Sequence, residues 1–148
     1  MINLSTPDFT QHPPRSPRVR LGGYVHLPRL LDKARAVVAG KQGEFHYNCP
    51  LDQRFFAFTG IDSEAMLAEI KAGKTDGQML AWVETQTTRQ SWEITQWSAW
   101  LSQLSVGSAD MHAWFVDMIK ANGPEREDIT TFFDLLDLDD YVSYGGKA

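Results

Sequence analysis

The sequence predicts an all-α fold: a compact bundle of six or seven short helices behind an extended N-terminal arm. Three observations predict it. Apolar residues recur at three- and four-residue spacing in successive segments between residues 27 and 138. Proline, serine or threonine stands at the start of most of these segments, and glycine closes several. No alternating run is long enough to make a sheet that stands alone. At most one short β-hairpin is expected, a strand pair around Tyr24 and Phe45–Tyr47.

Residues 1–26 read as the arm. Pro7, Pro13, Pro14 and Pro17 remove backbone donors and push their predecessors toward extended geometry. Gly22 and Gly23 permit a tight turn, and Leu21, Tyr24 and Val25 offer an anchor. A helix opens at Pro28, where a missing N–H costs nothing. Leu27, Leu30, Leu31, Ala34 and Val38 form its buried stripe, and Gly40 stops it. Arg29 and Lys33, four apart, are expected on its solvated flank. A second helix starts at Pro50, with Leu51, Phe55, Phe56 and Phe58 as its apolar line and Gly60 as its end. A third runs from Ser63 to Ala72.

Thr75 and Gln78 make a capping box for a fourth helix, which carries Met79, Leu80, Trp82 and Val83. Ser91 caps a fifth, with Ile94, Trp97, Leu101 and Leu104 as one seam and Trp92 and Trp100 off it. Ser108 caps a sixth, with Met111, Trp114, Phe115, Met118 and Ile119 as a core stripe. Phe132, Phe133, Leu135, Leu136 and Leu138 form a short last helix, and 141–148 is a tail. No repeat and no long linker divides the chain, so one domain over 1–148 is expected.

The 148 residues carry 14 basic and 19 acidic side chains, a net charge of −5. Residues 1–60 are net +4 and the remainder net −9. The split suits either mutual attraction inside one fold or the steering of an anionic partner. Overall acidity disfavours a nucleic-acid partner. No run approaches a membrane span, and no apolar stretch of signal-peptide length opens the chain. A single cysteine excludes an intrachain disulfide framework and fits a reducing compartment.

The residues that bear chemistry are few. His46 and Cys49 have ligand spacing, but one cysteine and scattered histidines supply no tetrahedral zinc set. No metal or cofactor is expected. Gly40, Lys41 and Gly43 are a fragment of a phosphate loop without its remaining residues. Cys49 stands before Pro50, at a helix N-terminus, where a thiolate is favoured. His46 is its candidate base and Asp52 the group that would orient the imidazole. Arg15, Arg18 and Arg20, with Lys33, are candidates to clamp a small anion or nucleotide through paired donors. Their alternative role is to pair with acids beyond Asp110. Tyr24 and Tyr47 are candidates to stack a base.

The stretches PPRSPRVRLGGYVHLPRLLDKARA (13–36) and GKQGEFHYNCPLDQRFFAFTGID (40–62) resemble a bacterial family known as domain of unknown function 5069. KTDGQMLAWV (74–83) and SWEITQWSAW (91–100) extend the resemblance over most of the chain. It implies a bacterial, cytoplasmic protein and brings no catalytic residue or ligand with it. The expected function is a soluble, non-catalytic binding or protein-interaction module. The two alternatives are the arginine-lined anion pocket and a thiol-dependent enzyme or sensor using Cys49. The candidate site residues are Arg15, Arg18, Arg20, Lys33, His46, Tyr47, Cys49 and Asp52.

Overall fold

A computed structural model describes residues 1–148. Seven helices and one two-stranded hairpin follow one another along the chain. The hairpin is β1 (Arg20–Leu21) and β2 (Tyr24–Val25). The helices are α1 (Leu27–Val38), α2 (Pro50–Thr59), α3 (Ser63–Lys71), α4 (Asp76–Gln86), α5 (Ser91–Gln103), α6 (Ala109–Asn122) and α7 (Phe132–Ser143). The all-α class read from the periodicity is the observed one. The chain forms two compact units, Met1–Ser98 and Ala99–Ala148. No helix is long and apolar enough to cross a membrane.

In the first unit the hairpin departs from expectation. Tyr24–Val25 pairs antiparallel with Arg20–Leu21, not with Phe45–Tyr47, which lies in a loop. The reason is local. Gly22 and Gly23 take φ of 59° and 85°, and a two-residue connection with both φ values positive matches the twist of adjacent strands. Ser98 on α5 fixes the hairpin: its hydroxyl accepts from Val25 N–H at 3.2 Å and donates to Gly23 O at 2.7 Å. Tyr24 is buried against Phe55 and Trp97, and Phe58 stacks on Trp97 at 5.0 Å. This places Tyr24 inside the core, where it cannot stack on a base.

The arm is pinned down. Phe9 is buried, its N–H donates to Lys41 O at 2.9 Å, and its ring meets Phe45 edge-on. α1 packs on α3 and on β1. Its buried face is wider than the apolar stripe implies. Arg29 and Lys33, expected in solvent, are 3% and 4% exposed, whereas Val38 near the helix end is exposed. The two cations are inside because they find acceptors there: Arg29 donates to Arg15 O at 3.2 Å and Lys33 to the Asp52 carboxylate.

The second unit centres on Phe115, Ile129, Leu135 and Leu138, with Met118, Ile119 and Phe132 packed around them. Thr131 and Asp134 form a capping box that starts α7. Met111 and Trp114 of α6, expected in the core, are exposed. Their stripe is wider than the face that α7 covers, so only its Phe115 edge is fully buried.

Candidate functional site

Two helix beginnings of the first unit meet around one carboxylate. Asp52 lies at the third position of α2, and its side chain has no exposure. It reaches back to Cys49 N–H at 3.3 Å, closing the first turn of the helix. Lys33 from α1 donates to both of its oxygens at 2.7 Å. His26, the N-cap of α1, sits 2.7 Å from Asp52 Oδ1 through Nε2. Lys33 Nζ also reaches Cys49 Sγ at 3.3 Å and donates to His46 O at 3.1 Å.

The charges in this centre follow from burial and neighbours. Burial pushes the Asp52 carboxyl up, but the His26 hydrogen bond and Lys33 outweigh it and hold the group below the usual carboxylate range. Burial pushes His26 down, and Asp52 only partly offsets it, with Lys33 and Arg29 adding to the fall. The buried state is therefore an ionised Asp52 facing Lys33, with a neutral imidazole donating from Nε2. One cation and one anion balance, which is the condition for keeping either inside.

Two residues flanking the centre hold left-handed backbone. His26 has φ 68° and Asn48 has φ 62°. A side chain there costs about 1–2 kcal/mol. Asn48 turns the chain so that Cys49 enters α2, and His26 turns it so that Leu27 enters α1.

The sequence-derived candidates divide. Lys33, Cys49 and Asp52 converge as described. His46 is exposed and contributes its backbone carbonyl, so Asp52 orients His26 rather than His46. The cause is distance along the fold: α1 carries His26 to the carboxylate, while the 44–48 loop turns away through Asn48. Tyr47 anchors that loop. Its hydroxyl donates to Ser63 O at 2.7 Å, its ring packs on Phe56, and burial pushes its phenol up. His26 was missed. The available signal was its position seven residues before Lys33, which puts both polar groups on one face of a helix otherwise lined with leucine.

The arginines do not gather as a set. Arg18 and Arg20 are exposed, and neither lines the cavity that Arg15 borders. Arg15 instead joins a four-membered ion cluster. Its Nε and Nη2 grip both Asp32 oxygens at 2.9 and 2.8 Å, and Nη1 donates to Asp76 at 2.7 Å. Arg35 reaches Asp76 at 2.8 Å and Lys74 O at 3.3 Å. The acids that Arg15 meets are thus Asp32 and Asp76, not those beyond Asp110. Hydrogen bonding to Asp32 first, and to Asp76, raises the already high Arg15 guanidinium. The cluster borders a cavity of about 560 Å³ whose wall also includes Leu4, Pro7, Pro14 and Ile70. No group of three or more His, Cys, Asp or Glu side chains is placed to hold a metal ion.

The fold and this centre define a helical protein with a buried lysine–aspartate–histidine group under one cysteine. A family model described as a domain of unknown function, DUF5069, matches residues 11–142, and the chain belongs to that family. No curated protein matches it.

Proposed function

We propose that this protein is a non-catalytic thiol sensor of a reducing cytoplasm, with Cys49 as its reactive group. The observation that carries the reading is Lys33 Nζ, 4% exposed, held by Asp52 at 2.7 Å and reaching Cys49 Sγ at 3.3 Å. A cation beside the sulfur and a helix N-terminus at the same residue are the surroundings in which cysteines react. Cys49 itself is partly exposed, so a small oxidant has access. With hydrogen peroxide, the sulfur takes one oxygen, the O–O bond breaks, and hydroxide leaves, giving a sulfenic acid. The event is stoichiometric and alters the partner that Lys33 sees.

The test is treatment with limiting peroxide in the presence of a 1,3-dione that traps sulfenic acid, read by mass spectrometry of the intact chain. One adduct at Cys49, absent in Cys49→Ser, supports the reading. No adduct while free cysteine in the same tube is consumed overturns it.

A second reading, a protein-interaction module, draws on the second unit. Trp100, Met111 and Trp114 are 46%, 42% and 46% exposed, unusual for such large apolar groups. Quenching of tryptophan fluorescence by iodide, weakened when a partner is added, tests it.

A further inference from the structure

We propose that the cavity beside Arg15 and Asp76 binds a free α-amino acid. This rests on a different site from Cys49 and stands or falls separately. Arg15, Arg35, Asp32 and Asp76 are two cations and two anions, joined at 2.7–2.8 Å through Arg15–Asp32, Arg15–Asp76 and Arg35–Asp76. The cluster is neutral as a whole, so a phosphate or a dicarboxylate placed on it meets two aspartates as well as two arginines. The expectation of an anion clamp is replaced for that reason.

The four members are not equally accessible. The Asp32 and Arg35 side chains are 11% and 13% exposed and form the inner layer. Arg15 and Asp76 are 36% and 34% exposed and form the outer one. The cluster therefore offers the outside one guanidinium and one carboxylate, side by side at 2.7 Å. The complementary ligand carries one carboxylate and one ammonium, also side by side. Asp32, Asp76 and Pro28 O already occupy the other guanidinium donors, so the ligand carboxylate takes the one remaining Nη1 N–H of Arg15, and Asp76 takes the ammonium. Adjacent charges select the α-amino acid over a peptide, because each added residue moves the end groups apart by roughly 3.5 Å.

The rest of the wall agrees. Leu4, Pro7, Pro14 and Ile70 present apolar surface, and a volume of about 560 Å³ lies within the range of small-ligand sites. An aliphatic side chain on the ligand has a place to go. Asp32 and Arg35 hold the outer pair in position before the ligand arrives, so little ordering is left to be done on binding.

The experiment is isothermal titration calorimetry of the full chain with L-leucine, accompanied by four further probes. These are 4-methylpentanoate, which lacks the ammonium, 3-methylbutylamine, which lacks the carboxylate, leucylglycine, and inorganic phosphate. Saturable binding of L-leucine, at least about tenfold tighter than any of the other four, supports the proposal. Asp76→Asn and Arg15→Gln are each expected to weaken it about tenfold or more. Circular dichroism confirms that each variant is folded, and Asp76→Glu, which keeps the charge, retains part of the affinity. Cys49→Ser binds as the parent does, which separates this site from the thiol. Absence of L-leucine binding overturns the proposal. So does equal binding of leucylglycine or phosphate, or full affinity in folded Asp76→Asn.

Discussion

Lys33 donates to both carboxylate oxygens of Asp52 at 2.7 Å, and neither side chain is more than 4% exposed. The pair joins α1 to the first turn of α2, and it sets the position of the ammonium group that reaches Cys49. A buried pair of this kind is weak evidence for stability as such, since two hydrophobic residues of similar shape often do as well. Its consequence is positional: it fixes a cation beside the sulfur of a partly exposed cysteine.

Removing one partner is expected to be costly. Asp52→Ala leaves Lys33 and His26 inside without their acceptor and frees the Cys49 N–H. The expected loss is about 3–5 kcal/mol in urea unfolding. The double variant Lys33→Met/Asp52→Asn removes both charges together and is expected to lose less than the two single losses added. Strict additivity would show that the two groups do not interact.

Acid is expected to weaken the fold in two stages. The folded His26 binds its proton less readily than its ordinary value of 6.5, so the unfolded chain takes up more protons below that pH. Stability falls as pH drops through about 6.5 toward the folded value. Asp52, Asp76 and Asp128 are all held below the ordinary 3.8, and their contribution, present above that value, is lost as pH falls below it. Urea midpoints measured between about pH 7.5 and pH 3 show both steps. The first is expected to shrink in His26→Asn, which tolerates the left-handed backbone at this position. A midpoint that rises on acidification contradicts the account of the centre.

Ser98→Ala is expected to destabilise by about 1–3 kcal/mol. Its hydroxyl is fully buried and serves two backbone groups of the hairpin, Val25 N–H and Gly23 O. Hydrogen exchange at the Val25 amide is expected to quicken more than at amides in the middle of α3. Equal exchange in both places would remove the clasp role.

Gly22→Ala is expected to cost about 1–2 kcal/mol. The residue has φ 59°, and an added methyl overlaps the end of the Leu80 side chain. Leu80 is flexible enough to move, so the backbone supplies most of the cost. A thermal midpoint equal to the parent's would contradict it.

Much of the fold was legible in the chain. Pro50, Thr75 and Ser108 stand at the starts of three helices, because capping chemistry is local and written in adjacent residues; α1 instead begins at Leu27 behind His26, and Ser91 is the first helical residue of α5 rather than its cap. The hairpin partner differs from expectation because the strands on either side of the Gly22–Gly23 turn are two residues each, too short for an alternating pattern to show beside the aromatic 45–47 segment. Met111 and Trp114 were misplaced because an apolar stripe gives a direction but not the width of what covers it. At the site, Cys49 and Asp52 were visible from their places around a proline. Their partners were not. Arg29 and Lys33 look solvated by spacing alone, since whether a cation goes inside depends on an acceptor brought from elsewhere in the chain, Arg15 O for Arg29 and the Asp52 carboxylate for Lys33. The Arg15–Asp32–Asp76–Arg35 cluster was hidden for the same reason, its members being separated by up to sixty-one residues.

In the proposed sensor, Lys33 makes Cys49 reactive. The direct measurement is the rate of iodoacetamide alkylation of Cys49 at neutral pH in the native protein and in Lys33→Met/Asp52→Asn. That variant removes the ammonium group without leaving a buried charge, and circular dichroism confirms its helices. The account predicts a rate at least about tenfold lower in the variant, the size of one lost charged hydrogen bond. Equal rates in the two proteins, or a native Cys49 that reacts only after unfolding, would contradict it.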